Sequence, residues 1–363
     1  MPPRVDYKAV FDPIIDASEN LADRFVIGHI VHQDVHAAYK RALSCFWVSE
    51  SIDLAEDIVA FEKLRADEKS FILRVLAFFA GSDGIVLENL ASRFYSDVQL
   101  PEARLFYGLQ IAIENIHSET YVEIIRAYER DEKRRNLLFS AIDDDPAVHA
   151  KADWALKWLG GDAPFGERLV AFAAVEGIMF SASFAAIFYF RKRGISLPGL
   201  YQSNTYIARD EAMHCEFAVL LHKLLKPHNR CTSAKITEIV KSAVLVEEQF
   251  VRSALERPIL GMNAPIMTQY VHFVADVLLT MLGVAKVFNV ENPLSYMDQI
   301  AMSTKTNFFE RRVTEYSLAG VSTDKAPPRQ RRVRKDEGED DEVPAASVSA
   351  NEEISVFTLD SDF

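Results

Sequence analysis

Two short strings, Glu114-x-x-His117 and Glu211-x-x-His214, each set a carboxylate and an imidazole about one helical turn apart on a single face. No other histidine of the chain has a glutamate three residues before it. Two such pairs, completed by single acids from two further helices, are how four-helix bundles hold a pair of iron or manganese ions. Asp83 and Glu176 are the acids at hand. Tyr121 follows His117 by one turn, so a phenol faces the same site, and the chemistry suggested is oxidation of a tyrosine at a metal centre. Taken singly, a Glu-x-x-His is usually a surface pair, a tyrosine a hydrogen-bonded core residue and an aspartate a buried acid bound to backbone. Only the set carries the metal reading.

The residues need long helices to hold them. Periodic apolar positions run from about Asp34 to Gly283 with few β-branched runs, which predicts an all-α body. Helices are expected over His36–Trp47, Asp67–Asp97, Pro101–Arg130, Arg134–Ala141, Pro146–Leu159, Pro164–Lys192, Pro198–Leu225, Ser233–Glu256 and Ala264–Leu282. Four of these carry Asp83, Glu114 with His117, Glu176, and Glu211 with His214. Buried charged carboxylates cost several kcal/mol each unless paired or bound to a cation, and a dinuclear centre removes that cost. Gly81 and Gly84 flank Asp83 within a helix, at about 1 kcal/mol each relative to alanine, so close backbone approach or a local bulge is expected there. Counting turns places Phe180 and Phe184 on the Glu176 stripe, and Ile207 on the stripe of Glu211 and His214. Apolar groups of this kind would shield an oxidised phenol. Oxygen and imidazole ligands without cysteine suit iron or manganese better than a soft-ligand metal.

A net charge of −13 excludes nonspecific binding to nucleic acid or an anionic membrane surface, since both need a basic face. Cys45, Cys215 and Cys231 are widely spaced and form no CxxC pair, which excludes a disulfide framework and fits a reducing compartment. The N-terminal MPPRVDYKAV has no apolar run behind its basic residue, so no secretory signal is expected and the predicted location is the cytoplasm. Residues 171–190 are apolar enough to span a bilayer, but Glu176 lies within them and no second such segment is evident; a buried core helix is the expectation.

Beyond about Asn307 the composition changes. Residues 321–353 hold Pro-Pro, the basic run RQRRVRK and the acidic run DEGEDDE, which cannot bury a core and predict a disordered linker. The basic run is also a weak nuclear-localisation pattern. The expected division is an N-terminal arm at 1–24, a helical domain at 25–306, a linker at 307–353 and a terminal peptide at 354–363.

At this point the sequence resembles the small subunit of class I ribonucleotide reductase, in its eukaryotic and large-DNA-virus branch. The strings that carry the resemblance are LAFFAGSDGIVLENL around Asp83, YGLQIAIENIHSETY ending at Tyr121, VAFAAVEGIMFSASFA around Glu176 and IARDEAMHCEF around Glu211 and His214. FWVSE at Trp47, KADWALKWLG, ILGMN, KTNFFERRVTEY and the closing FTLDSDF add to it, in an order that covers the chain from about Phe25.

The resemblance implies a ferritin-like bundle, a homodimer, and a diferric centre, oxo-bridged when oxidised, held by Asp83, Glu114, His117, Glu176, Glu211 and His214. A mixed manganese–iron centre would accept the same ligands. It implies Tyr121 as a stable radical and an exit route through His117, Asp210 and Trp47, then Tyr316, to a thiol on a separate large subunit that reduces ribonucleoside diphosphates. The terminal Phe357, Thr358, Leu359, Asp360, Ser361, Asp362 and Phe363 would dock that subunit, with two aromatic anchors around two acids. The charged insert at 327–345 looks long for the family, yet Gly320 to Glu353 as a flexible coil spans only about 30 Å on average, which still permits docking. The rivals are a di-iron oxygenase or desaturase, which needs neither Tyr121 nor Trp47, and an iron-storage protein or an inactive partner-binding relative. An inactive relative should lack a ligand, and all six positions are filled.

Overall fold

In the computed structural model the described residues are 11–18, 22–28, 30–159, 162–255 and 262–297. Gly160 with Gly161, the linker with Tyr316, and the peptide Phe357 to Phe363 lie outside them. Among the described residues the extended elements are helices and no strand occurs, as the apolar periodicity predicts. In chain order they are α1 Gln33–Leu43, α2 Ala55–Glu62, α3 Ala66–Asn89, α4 Pro101–Tyr128, α5 Glu132–Phe139, α6 Pro146–Leu159, α7 Phe165–Ala174, α8 Ser181–Lys192, α9 Pro198–Leu224, α10 Ser233–Ala254 and α11 Ala264–Met281. A π turn, Val175–Met179, joins α7 to α8, and a second, Leu90–Phe94, extends α3.

Local chemistry fixes most of the boundaries. Pro101 and Pro198 open α4 and α9, where a missing N–H costs nothing. Thr232 Oγ1 accepts from Lys235 N at 3.3 Å ahead of α10, and Asn263 Oδ1 accepts from Ile266 N at 3.0 Å ahead of α11. Gly194 and Gly283, both at φ +76°, turn the chain after α8 and α11.

Packing sets the ligand-bearing helices side by side. Helix α3 lies along α4, and α7 along α9. Their shared interior holds Phe78, Phe79, Phe106, Phe172, Phe180 and Phe217, all fully buried. The most apolar stretch of Phe165–Lys192 is 89% buried, so the run at 171–190 lies in the core as expected. Ala66–Asp97 is also long and apolar enough to cross a membrane, with 56% of its most apolar stretch buried, so the expectation of no second such segment is corrected.

One expected helix end is corrected, one helix is added, and at Gly81 the close approach rather than the bulge is found. The first helix ends at Leu43 rather than Trp47, because the next residues bond to α9 instead: Arg209 Nη2 donates to Cys45 O at 2.8 Å. Helix α2 was not anticipated; its Asp57 takes the N–H groups of Gly199 and Leu200 at 2.9 and 2.8 Å, and so caps α9 from another element. Around Gly81 and Gly84 the helix is regular, with no bulge. A Cβ on Gly81 would lie 3.3 Å from Ile142, the close approach expected, while beside Gly84 there is open space. The bulge sits at Glu176 instead.

Candidate metal centre

Asp83 projects from α3, Glu114, His117 and Tyr121 from α4, Glu176 from the π turn, and Ile207, Asp210, Glu211 and His214 from α9. The π turn is drawn close to α9: a Cβ on Gly177 would lie 2.9 Å from Cys215 Sγ, so glycine lets the turn meet α9 without displacing that thiol. π turns recur at functional sites because they re-aim one side chain within an otherwise regular helix.

All six predicted ligands come together. Asp83, Glu114, His117 and Glu211 form one group and Glu114, Glu176, Glu211 and His214 a second, with the donor atoms of each group within 4.8 Å of one another. Glu114 and Glu211 belong to both groups, so theirs are the carboxylates that two ions would share. His117 Nδ1 lies 3.0 Å from Glu211 Oε1 and 3.4 Å from Glu114 Oε2. His214 Nδ1 lies 3.0 Å from Glu114 Oε1 and 3.3 Å from Glu211 Oε2. Each of the six is at most 3% exposed, so bulk water cannot satisfy them.

The electrostatics fit a cation pair. Burial, then the charges of Glu114 and Glu211, push the Asp83 carboxyl well above the usual range. Burial and the Glu211 charge do the same to Glu176. Burial alone would raise Glu211, but Glu176, His117 and His214 hold it well below the ordinary value. Burial alone would likewise lower His214, yet Glu114 and Glu211 raise it to about 9. Asp83 Oδ2 and Glu176 Oε2 are buried without a hydrogen-bond partner. Four carboxylates and two imidazoles at one level, with orphaned oxygens, form a set that two hard divalent ions complete.

Around this cluster the geometry extends the predicted set. His117 Nε2 faces Asp210 Oδ2 at 3.3 Å, leaving Nδ1 toward the carboxylates, the way a ligating histidine is oriented by an outer acid. The same Asp210 oxygen accepts from Trp47 Nε1 at 2.8 Å, and Arg209 Nη2 donates to Asp210 Oδ1 at 2.9 Å. Tyr121 is 3% exposed, and burial with the charge of Asp83 pushes its phenol well above the ordinary value. The ring stacked on it is Phe79, at 4.8 Å between centroids and 14° between planes. Phe184 and Phe180 in turn meet Phe79 at 4.9 and 5.8 Å, and Ile207 is fully buried.

Phe79 and Gln110 went unnoticed in the sequence. Gln110 Nε2 donates to Glu176 Oε1 at 3.3 Å. Both stand four residues before a ligand, Asp83 and Glu114, so the turn-counting that singled out Phe180 would have found them.

Comparison with known proteins now decides the family. Residues 24–293 match the family described as ribonucleotide reductase, small chain. The chain belongs to that family. It is 52% identical over 299 residues to the ribonucleoside-diphosphate reductase subunit M2 of Homo sapiens, covering 82% of this chain and 76% of the relative. It is 50% identical over 311 residues to the ribonucleoside-diphosphate reductase small chain of Vaccinia virus strain Ankara, covering 85% and 95%. The solved homodimer of the ribonucleotide reductase Rnr4 from Saccharomyces cerevisiae superposes with a TM-score of 0.72 at 33% identity, over 84% of this chain and 93% of that one. The ferritin-like fold follows, and with it the small subunit's part in ribonucleoside-diphosphate reductase, that of the radical-generating component.

Proposed function

We propose that the two metal positions take iron, that Tyr121 is the residue oxidised, and that the equivalent leaves through His117, Asp210 and Trp47. The observation that carries this reading is the pair of overlapping ligand groups with Tyr121 one turn beyond His117. Bound there, two ferrous ions would let dioxygen act as the oxidant of the Tyr121 phenol: of its four electrons the ions would supply two, Tyr121 one and a further ferrous ion the last, the phenolic proton going to the reduced oxygen.

The chain's own residues do the rest. Tyr121 gives up one electron and its phenolic proton; Phe79, Phe180, Phe184 and Ile207 keep water and reductants from the ring that results. During turnover an electron returns to Tyr121 along Trp47, Asp210 and His117, whose contacts of 2.8 and 3.3 Å make an unbroken path from a residue 8% exposed to the metal cluster. Asp210 is suited to this: burial would raise its carboxyl, but His117, Arg209 and Trp47 hold it below the ordinary value and so keep it an acceptor from both rings. Beyond Trp47 the route continues through Tyr316 to a thiol of the large subunit, where ribonucleoside diphosphates are reduced. Phe357 to Phe363 dock that subunit, and the assembly is a cytoplasmic homodimer.

The test is to add ferrous iron and air to the metal-free protein and record electron paramagnetic resonance and visible spectra. A stable tyrosyl signal with two irons per chain is expected. Iron uptake without an organic radical would favour an oxygenase or a storage protein; a radical formed only with added manganese would overturn the all-iron centre.

A further inference from the structure

The far side of the π turn holds a charged pair that the site does not use. Lys151 of α6 and Glu247 of α10 are 2% and 0% exposed, with Nζ 2.5 Å from Glu247 Oε2. The same ammonium donates to the carbonyl of Met179 at 2.7 Å and lies 3.5 Å from the ring centre of Phe78 and 4.0 Å from that of Phe250. Taking two charges out of water is costly, and apolar side chains of similar volume would fill this space as well or better. The third contact, to Met179, indicates what the pair is for.

A π turn displaces backbone carbonyls from their helical partners. The last two carbonyls of this one, Ile178 and Met179, accept from side chains: Ser181 Oγ at 2.7 Å and Lys151 Nζ. Three residues before Met179 stands Glu176, a member of the second metal group and not of the first. Phe78, against which the ammonium rests, also meets the Phe180 ring at 5.7 Å and precedes the Phe79 that stacks on Tyr121.

We propose that Lys151, held by Glu247, is a positioning residue that clamps the π turn and thereby sets the affinity of the Glu176 metal position relative to the Asp83 position. The inference rests on the two-metal reading of the cluster. It assigns Lys151 no contact with metal or radical. Its action passes through one backbone carbonyl.

The test compares the full-length parent with the double variant Lys151→Met/Glu247→Leu, which removes both charges and leaves no lone buried ion to unfold the protein. Hydrogen–deuterium exchange on the metal-free proteins reads the clamp alone. Exchange across residues 175–181 should accelerate at least about tenfold while α3 is unchanged. Titration with cobalt(II) then reads the consequence: the parent takes two ions, and the variant keeps one tight position and weakens the other by about 10 to 100-fold, the usual effect of losing an outer support. Unchanged exchange at 175–181, acceleration spread evenly over all helices, or equal weakening of both positions would each overturn the proposal. A parent that binds fewer than two ions would sink the two-metal reading instead, with the exchange result still deciding whether the clamp exists.

Discussion

Trp47 donates its indole N–H to Oδ2 of Asp210 at 2.8 Å, tying the segment after α1 to the acid that immediately precedes Glu211. The bond joins a tryptophan that is 8% exposed to an acid that also meets His117 Nε2 at 3.3 Å. Trp47→Phe removes the donor while keeping an aromatic ring. The variant should form the tyrosyl signal normally and lose turnover with the large subunit by at least about a hundredfold, about 2.7 kcal/mol in barrier. Electron paramagnetic resonance and a deoxyribonucleotide assay on one preparation would check it; normal turnover would remove Trp47 from the route.

Glu211 belongs to both ligand groups and Asp83 to one. Glu211→Ala should therefore abolish tight binding at both positions, whereas Asp83→Ala should leave one. Cobalt(II) titration with stoichiometry read from visible absorption distinguishes them, and equal losses in the two variants would contradict bridging by Glu211.

Deleting Phe357 to Phe363 should leave iron uptake and the radical intact and reduce turnover with the large subunit to background. A synthetic peptide of those seven residues should compete with the parent. Full activity of the truncated chain would end the docking role.

Acid stability has a marker far from the metals. Burial and the Arg230 charge push His222 down to about 4, and its neutral ring accepts the Cys231 N–H at 3.1 Å. The unfolded chain takes up this proton near pH 6.5 and the folded one does not, so stability is lost as pH falls from about 6.5 toward 4, by up to about 3 kcal/mol. His222→Gln retains an acceptor without a titratable ring. Urea unfolding between pH 7.5 and 5 should show a shallower decline in the variant, and parallel curves would refute the assignment.

Asp57 accepts from Gly199 N, Leu200 N and Tyr128 Oη at 2.9, 2.8 and 2.8 Å, entirely buried. Asp57→Ala leaves three donors unsatisfied and should cost about 3 kcal/mol or more. A drop below about 1 kcal/mol in chemical denaturation would show that water replaces the carboxylate.

Much of the site was legible because helical spacing converts sequence into faces. Glu114, His117 and Tyr121 could be read as one stripe without knowing what they met, and the same arithmetic brought Phe180, Phe184 and Ile207 into the core. What could not be read depends on contacts across elements. Trp47 lies outside a helix because α9 holds its segment, and nothing local to CFWVSE says so. Helix α2 is short and its purpose is to cap a helix about 140 residues later, so its sequence carries only a weak amphipathic signal. The π turn escaped notice because its sequence, VEGIM, is an ordinary helical one. Its register is set by Cys215 behind Gly177 and by side chains that take its carbonyls.

The ligands run from Asp83 to His214 and come from helices that meet only in the finished bundle. Until Glu211 has been made, neither ligand group is complete, because both of them contain it. Loading of a metal pair therefore waits until more than half of the polypeptide exists. The first helices made, with Asp83, Glu114 and Tyr121 already on them, cannot assemble the oxygen-reactive centre by themselves.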